Sequence, residues 1–237
     1  MTATRRIGVF GGTFDPIHRG HVDIGRAAEA ALELTRMFVI PASVPPHRAQ
    51  PLASSYHRFA MVALSVAGRH GWRASDLELR AGAPSYTSAT FDQLHARGYA
   101  ASELFFVIGA DAFAEIGAWK DYPAILDRAH FAVVSRPGCA VSQLPGRLPV
   151  LASRMQPPPL AETSRPDPLI ILIDAPTADV SSTAIRERRA QGQSIAGMVD
   201  VGVQQHIEQH GLYTSNPGRR GIDEAPNPAA DGLHGQG

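Results

Sequence analysis

The chain is 237 residues long, which suits one α/β domain with additions, and 44 % of its residues are hydrophobic, enough for a buried core. It carries 22 basic and 22 acidic side chains, so no global field attracts a nucleic acid. Its single cysteine, Cys139, excludes an internal disulfide framework and a cysteine-based zinc site. The start of the chain lacks a signal-peptide apolar region, and the apolar run 169–173 is far shorter than the roughly 20 residues of a bilayer span. We therefore expect no membrane partner and a cytoplasmic location.

Strand-like and helix-like segments alternate along the chain. Short apolar runs predict strands at residues 7–10, 37–40, 104–108, 131–134 and 169–173. Apolar residues spaced three and four apart predict helices, first with Ile24, Ala27, Ala28 and Ala31, and then with Phe59, Val62, Ala63 and Val66. A last helix is predicted over about residues 203–210, before Gly211. This alternation is typical of an α/β fold with an open parallel sheet and helices on both faces.

Two regions interrupt the alternation. Prolines cluster over residues 138–168, with three in a row at 157–159, which predicts a surface insertion of mixed loop and short strand. Residues 216–237 contain almost no large apolar side chain, so burial could not offset their ordering entropy and we expect a disordered tail. The predicted organisation is one domain over residues 1–215, which includes the insertion and precedes the tail.

The most informative segment follows the first predicted strand and reads GGTFDPIHRGH over residues 11–21. Gly11 and Gly12 lack a Cβ, so the backbone there can approach a phosphate closely. His18 and His21 are three residues apart where a helix begins, so both rings can reach one anion beside unpaired N–H groups. Open α/β sheets bind ligands at this carboxyl end of the strands. A metal site or an incidental surface pair is the alternative interpretation of the two histidines.

A second polar segment follows the last predicted strand. Ser181, Ser182 and Thr183 place three hydroxyls at a helix start, and Arg186 stands in the first turn, a set that can hold a polyphosphate. Ordinary helix capping with a solvated arginine explains the same residues. Because the loops that follow parallel strands meet at one edge of the sheet, we expect this segment on the same edge as His18.

Together these segments resemble a known family. The string GGTFDPIHRGH is similar to the opening of bacterial nicotinate-mononucleotide adenylyltransferases, members of the nucleotidyltransferase superfamily with a His-x-x-His signature. Residues 181–186 resemble the Ser-Ser-Thr-x-Ile-Arg signature of that family, and the resemblance runs from about residue 7 to residue 213. It implies a Rossmann-like fold and the transfer of the adenylyl group of ATP to nicotinate mononucleotide, giving deamido-NAD and pyrophosphate in NAD biosynthesis.

The resemblance also implies roles for individual residues. Catalysis is assigned to His18, His21 and Arg48, with Mg²⁺ carried on the ATP phosphates and no metal ligand from the protein. The implied ATP contacts are Gly11, Gly12, Thr13, Phe14, His18, His21, Gly109, Asp111, Ser182, Thr183 and Arg186. The implied contacts of nicotinate mononucleotide are Thr87, Asp111, Trp119 and Arg136. The chain departs from the family pattern at Arg48, where lysine is usual, at Ala89, where aspartate is usual, and at Lys120, where an aromatic residue or histidine is frequent.

Several alternatives stay open at this stage. Asp111 could accept hydrogen bonds from a ribose and Trp119 could stack on a pyridine ring, but a helix cap and a core tryptophan explain them equally. The acceptor could instead be nicotinamide mononucleotide or phosphopantetheine, or the chain could be a non-catalytic nucleotide sensor. A tRNA ligase with a His-x-Gly-His site is opposed by the neutral charge and the short length. The oligomeric state is open, a homo-oligomer included.

Overall fold

The structure is a computed structural model that describes residues 5–44, 50–81, 84–160 and 167–215. Its strands are β1 (Ile7–Gly12), β2 (Arg36–Pro41), β3 (Trp72–Ala74), β4 (Leu104–Gly109), β5 (His130–Val134), β6 (Met155–Gln156) and β7 (Ile170–Ile173). Its α-helices are α1 (Arg19–Leu32), α2 (Ser55–Val66), α3 (Leu77–Ala81), α4 (Thr87–Ala96), α5 (Ala110–Phe113), α6 (Leu144–Arg147), α7 (Ser182–Ala190) and α8 (Val201–Gln209). Short 3₁₀ helices lie at Ala101–Glu103, Ile116–Ala118, Ala124–Asp127, Val141–Gln143 and Pro149–Arg154.

One parallel sheet organises these elements. The strand order is β3-β2-β1-β4-β5-β7-β6, and each paired neighbour runs parallel. The order reverses between β1 and β4, because the chain first builds outward from β1 through β2 to β3 and then returns to place β4 on the other side. Such a reversal opens a crevice at the carboxyl ends of the two central strands, where doubly wound sheets bind ligands.

Helices cover both faces of the sheet, as predicted. Side chains alternate along β4, so that Phe105 and Val107 enter one core while Phe106 and Ile108 enter the other. Helices α1, α2, α7 and α8 bury residues in the first core, and α3, α4, α5 and α6 bury residues in the second. The predicted fold class is confirmed. None of the described helices has the length and apolar character needed to cross a membrane.

Strands β3 and β6 and the ten-residue helix α4 are among the elements that the apolar patterns did not predict. Each of the five apolar runs predicted as a strand lies on an observed strand, but β3 and β6 have only three and two residues, too few for a periodic signal. The region 138–168 is not confined to the surface, because Val141, Leu144 and Leu151 are buried in the second core. Residues 161–166 of that region and the tail 216–237 lie outside the described residues, so the domain bounds stay a prediction.

Close packing of α1 against the edge of the sheet generates one prediction. A β-carbon at Gly25 in α1 would overlap the ring of Trp72, which is buried at the start of β3. We expect Gly25→Ala to lower the free energy of unfolding by about 1–3 kcal/mol through overpacking, although alanine favours a helix. Urea denaturation measures the change. The control is Gly117→Ala, where a β-carbon meets nothing within 4 Å. Equal stability of the two variants would contradict the prediction.

Candidate functional site

The loop from β1 into α1 carries both predicted catalytic histidines to the carboxyl edge of the sheet. His18 is the N-cap residue of α1, in an extended conformation, and is only 4 % exposed. His21 lies in the first turn of the helix, and its ring stacks on that of His18 with the centroids 3.7 Å apart. The edge of the buried Phe14 ring packs against His21 at a centroid distance of 5.1 Å. The two imidazoles therefore form one unit with a defined orientation.

A backbone hydrogen bond determines which nitrogen of His21 carries its proton. The His18 N–H donates to Nδ1 of His21 over 3.3 Å. A ring nitrogen that accepts a hydrogen bond has no proton of its own, so the neutral ring of His21 is protonated on Nε2. His21 is thus held in the tautomer that offers an N–H donor on the side away from the backbone.

Arg136 follows β5 and places a cation beside His18. Burial above all, and then the charge of Arg136, lower the pKa of His18 to about 3, so His18 is neutral at physiological pH. Nη2 of Arg136 donates to the Val180 carbonyl over 3.4 Å. His18 Nδ1 and Arg136 Nη1 are both buried and have no hydrogen-bond partner among the described residues. Buried polar groups are normally paired, so two such nitrogens on side chains that both border Gly20 indicate a place for a ligand.

Gly20 explains how the histidines and the arginine come so close. A β-carbon at position 20 would lie 2.7 Å from Arg136 Nη1, 3.0 Å from the Ala178 carbonyl oxygen and 3.3 Å from Cε1 of His18. The glycine between the histidines therefore leaves the space that the guanidinium fills. The sequence alone does not indicate this role of Gly20, because Arg136 lies 116 positions further along the chain.

Asp15 is the buried anion that holds the β1–α1 loop in place. Its Oδ2 accepts from the Leu52 N–H at 2.8 Å, and its Oδ1 accepts from the Ala53 N–H at 3.1 Å and from the Tyr213 hydroxyl at 2.8 Å. Burial and the neighbouring carboxylate of Asp15 raise the pKa of Tyr213, which keeps the hydroxyl protonated as a donor. One carboxylate thus connects the loop to the segment before α2 and to the chain that follows α8.

Arg58 is a second buried charge that sequence reasoning missed. Its guanidinium donates to the carbonyls of Thr13 and Ala42 from Nη1, Ser43 from Nη2 and Ala53 from Nε. These carbonyls belong to the loops that follow β1 and β2 and to the segment before α2. The signal was present in the sequence, because Arg58 stands three and four residues before Met61 and Val62 on the apolar face of α2. A charge on a buried face needs partners, and here they are loop carbonyls.

The start of α7 packs against the same loop, as the sequence predicted. The Ser182 hydroxyl donates to the Pro16 carbonyl over 2.9 Å, and Nη1 of Arg186 donates to the Asp15 carbonyl over 2.8 Å. Nη2 of Arg186 reaches the Thr183 hydroxyl at 3.2 Å, and Ser181 caps the helix by accepting from the Ala184 N–H. Residues 181–186 therefore cap α7 and also lie at the edge of the sheet that carries His18. Helix capping is thus compatible with the prediction that this segment holds a polyphosphate.

Asp111 continues the edge from β4 towards Arg136. It lies in the first turn of α5 and is exposed. A β-carbon at Gly109 would be 2.6 Å from Oδ1 of Asp111 and 3.1 Å from Cγ of Arg136. Asp111, Gly109, Arg136 and the histidines are therefore contiguous along the crevice between β1, β4 and β5.

A contact joins the segments that contain the predicted residues Trp119 and Thr87. Trp119 is half-buried, and its ring meets the edge of Phe106 at a centroid distance of 5.9 Å. Nζ of Lys120 lies 4.4 Å from the ring centroid of Tyr86, the residue before Thr87 at the start of α4. This contact brings the two predicted segments together although they are more than 30 residues apart.

For two residues predicted to contact ATP, Gly12 and Phe14, the structure shows a packing role. The space left by the missing Cβ of Gly12 is taken by the Phe14 ring, 2.9 Å from where that atom would lie, so its absence serves packing rather than a phosphate. The side chain of Phe14 is 1 % exposed and supports His21. Gly11 and Thr13 are half-buried in the same loop. Arg48 lies outside the described residues, so its catalytic role stays a prediction.

Comparisons with known proteins identify the relatives of this chain. Residues 9–188 match the model of the family described as Cytidylyltransferase-like. A protein of Roseiflexus sp. (strain RS-1), named "Probable nicotinate-nucleotide adenylyltransferase", is 40 % identical over 208 residues, covering 87 % of this chain and 97 % of the relative. A protein of the same name from Desulfatibacillum aliphaticivorans is 37 % identical over 217 residues, covering 88 % and 99 %.

Solved structures show the same fold. The nicotinic acid mononucleotide adenylyltransferase of Plasmodium falciparum complexed with NaAD superimposes with a TM-score of 0.64 at 17 % identity, covering 88 % of this chain and 97 % of the other. The structure of that protein complexed with APC gives a TM-score of 0.61 at 16 % identity, with the same coverage. At this level of identity the likeness concerns the fold alone.

The bond between Tyr213 and Asp15 generates a prediction about the loop. We expect Tyr213→Phe to lower the free energy of unfolding by about 1.5–3 kcal/mol, the range for a hydrogen bond to a charged group, because the buried carboxylate loses a donor. Urea denaturation measures the change, and the control is Tyr56→Phe in α2, where the side chain is 84 % exposed. A loss no greater than that of the control would show that Tyr213 does not support Asp15.

Proposed function

Because this chain belongs to the nicotinate-nucleotide adenylyltransferases, a family of the cytidylyltransferase-like fold, we propose that its crevice joins ATP to nicotinate mononucleotide. A phosphate oxygen of the mononucleotide attacks the α-phosphorus of ATP and forms a new P–O bond. The bond between the α-phosphorus and the bridging oxygen to the β-phosphorus breaks, and pyrophosphate leaves with that electron pair. The attacking phosphate is already ionised, so the protein needs no general base.

The two buried nitrogens without a partner carry this proposal. His18 Nδ1 and Arg136 Nη1 belong to side chains that both border Gly20, near the place where the sheet order reverses, and neither nitrogen has a partner among the described residues. A phosphate oxygen could accept from both, provided that His18 carries its proton on Nδ1. We therefore assign Arg136 to binding the attacking phosphate of the mononucleotide. That phosphate must lie beside the α-phosphate of ATP, to which we assign His18. The separate roles of Arg136 and His18 thus meet at one place.

Donors fixed before the reaction supply the catalytic effect that we propose. The Nε2–H of His21 and the neutral ring of His18 would donate to phosphate oxygens as negative charge moves to the leaving pyrophosphate. Such donors cost little reorganisation, because the stacking and the His18 N–H already hold the rings. Arg48, from the segment that follows β2, would add a positive charge. In-line geometry and positioning provide the rest, as phosphoryl-type transfers require.

The edge formed by the β1–α1 loop and α7 would hold the remainder of ATP. Arg186 has five N–H donors, and its bonds to the Asp15 carbonyl and Thr183 leave donors for the polyphosphate. Ser182, now bonded to the Pro16 carbonyl, keeps α7 against the loop. We assign further ATP contacts to the same edge, namely to the backbone of Gly11, Gly12, Phe14 and Gly109, because the ring of Phe14 is buried, and to Thr13, Asp111 and Thr183.

Magnesium fits this site as an ion that arrives on ATP. Asp15, three residues before His18, is buried and already accepts three hydrogen bonds, so it is not free to bind an ion. Asp23, two residues after His21, accepts from the Ala178 N–H over 3.0 Å. Among the described residues, the one group of three metal-ligating side chains lies elsewhere, between α2 and α8. Mg²⁺ would be held by phosphate oxygens of ATP and would neutralise part of their charge. The residues of the crevice would contact the phosphate oxygens that do not bind the ion.

The part of the crevice around Trp119 would hold the nicotinate mononucleotide. The half-buried indole offers a stacking surface for the pyridine ring, and Asp111 offers acceptors to a ribose. The start of α4 at Thr87, with Lys120 on the adjacent Tyr86, brings positive potential towards the carboxylate of nicotinate. We therefore expect the acid to be preferred over the amide.

Turnover with two acceptors tests the proposal directly. Pyrophosphate release is measured for the full chain with Mg²⁺, ATP and either nicotinate or nicotinamide mononucleotide. We expect pyrophosphate release with nicotinate mononucleotide. With nicotinamide mononucleotide we expect either no release or a lower kcat/KM. Binding of ATP without pyrophosphate release would identify a nucleotide sensor instead. The balanced charge of the chain supports these small-molecule partners over a nucleic acid. We also propose a cytoplasmic location.

The histidine pair generates a prediction about catalysis. We expect His18→Ala and His21→Ala each to lower kcat by about 10²–10³-fold, the effect of removing one oriented donor to transition-state charge. The measurement is steady-state pyrophosphate release, with circular dichroism to establish folding. His70→Ala serves as the control, because His70 is exposed and follows α2. Turnover close to that of the control in either folded variant would remove that histidine from the mechanism.

Trp119 generates a prediction about the acceptor. A stacked ring contributes affinity to the acid and to the amide alike, so it does not choose between them. We expect Trp119→Ala to lower kcat/KM at least tenfold for both mononucleotides, as loss of stacking and buried area implies, with a nearly constant ratio. The KM for ATP is the internal control and should change little. Unchanged kinetics for both mononucleotides would show that Trp119 only packs in the core. A large fall in the ratio of kcat/KM for the acid to kcat/KM for the amide would show that Trp119 determines the selectivity.

A further inference from the structure

Three histidines outside the crevice meet between α2 and α8. His57 lies in the first turn of α2, while His206 is in α8 and His210 is the residue that caps its end. One ring nitrogen from each lies within 4.8 Å of the other two, and Nδ1 of His57 is 3.0 Å from Nε2 of His206. All three side chains are half-buried.

We propose that these three histidines bind one divalent transition-metal ion of the zinc type. Neutral imidazole is a preferred ligand of Zn²⁺, Ni²⁺ and Cu²⁺, whereas Mg²⁺ and Ca²⁺ prefer oxygen. The proposal concerns a site separate from the adenylyl-transfer chemistry and does not depend on that function. No carboxylate or thiolate belongs to the group, so the chemistry of its donors selects against the magnesium that accompanies ATP.

The spacing of the ligands agrees with this chemistry. His206 and His210 are four residues apart, so they share one face at the end of α8, as paired histidines do in zinc sites on helices. Two nitrogens each about 2.0–2.1 Å from one tetrahedral zinc ion lie about 3.3 Å apart. The 3.0 Å between His57 Nδ1 and His206 Nε2 is within a few tenths of an ångström of that separation. In the metal-free chain that pair shares a hydrogen bond, which the ion would replace. Because the rings are half-buried, rotation of the His210 side chain can bring its ring nitrogen to the ion. A water molecule can then supply the fourth ligand of a tetrahedral site.

The position of the cluster gives the ion a structural consequence. His57 immediately precedes Arg58, whose guanidinium holds the carbonyls after β1 and β2. His210 stands three residues before Tyr213, which donates to Asp15. An ion between α2 and α8 would therefore join the two elements that support the β1–α1 loop. Since it binds the folded chain, it raises the stability of that chain by mass action.

Metal binding by the untagged full chain tests the proposal. The chain is treated with a chelator, dialysed, and titrated with Co²⁺ by visible absorption and with Zn²⁺ in competition with a chromogenic chelator. We expect one ion per chain, a tetrahedral Co²⁺ spectrum and a rise in Tm on addition of Zn²⁺. His57→Ala, His206→Ala and His210→Ala should each weaken binding at least about 100-fold, because loss of an outer-shell partner alone costs 10–100-fold.

Two controls separate this cluster from other histidines. His70→Ala and the double variant His18→Ala/His21→Ala should keep the affinity and the stoichiometry of the unaltered chain. Should an alanine variant fail to fold, His57→Gln and His206→Gln are measured instead, since glutamine retains the side-chain volume and a hydrogen-bonding group. Absence of stoichiometric binding overturns the proposal, as does unchanged binding in the cluster variants or its loss in the crevice variants.

Discussion

A buried carboxylate with all its partners in place is the constraint on which the site depends. Asp15 would be costly to bury alone, so its stability requires the Leu52 and Ala53 N–H groups and the Tyr213 hydroxyl to stay where they are. That requirement joins the β1–α1 loop to the approach to α2 and to the end of the described chain. His18 stands three residues after Asp15, so the anchoring of Asp15 determines where His18 and His21 lie.

Arg58 completes this arrangement with the opposite charge. Four loop carbonyls surround its guanidinium, and burial lowers its pKa while Asp15, Tyr213 and Glu78 raise it. Burial also raises the pKa of Glu78, whose carboxyl group accepts from the Thr90 hydroxyl at 2.6 Å. Irregular loops usually remain at the surface because their carbonyls need partners. A buried cation supplies these partners and keeps the edge of the sheet ordered.

The crevice combines the neutral ring of His18 with nearby cations, an arrangement suited to polyphosphate. His18 is kept neutral by burial and by Arg136, so the positive charge there resides on arginines, which cannot be deprotonated in proteins. The stacked imidazoles can donate hydrogen bonds without repelling each other as two cations would. Gly20 leaves the space in which His18 and Arg136 meet. The site therefore depends on close approach as much as on charge.

The sequence by itself determined the class of fold, the strands long enough to show an apolar run, and the histidine and serine-rich segments, because these signals are local. It did not determine β3, β6 or the burial of Val141, Leu144 and Leu151, since short segments carry little periodicity and burial depends on what packs above them. Nor did it identify Arg58 as a holder of loop carbonyls, the pairing of Asp15 with Tyr213, or the meeting of His57 with His206. Except for the bond of Arg58 to the Ala53 carbonyl, five positions away, those contacts join residues between 15 and 198 positions apart. Only the tertiary structure, which brings distant helices and loops to one edge of a parallel sheet, could decide them.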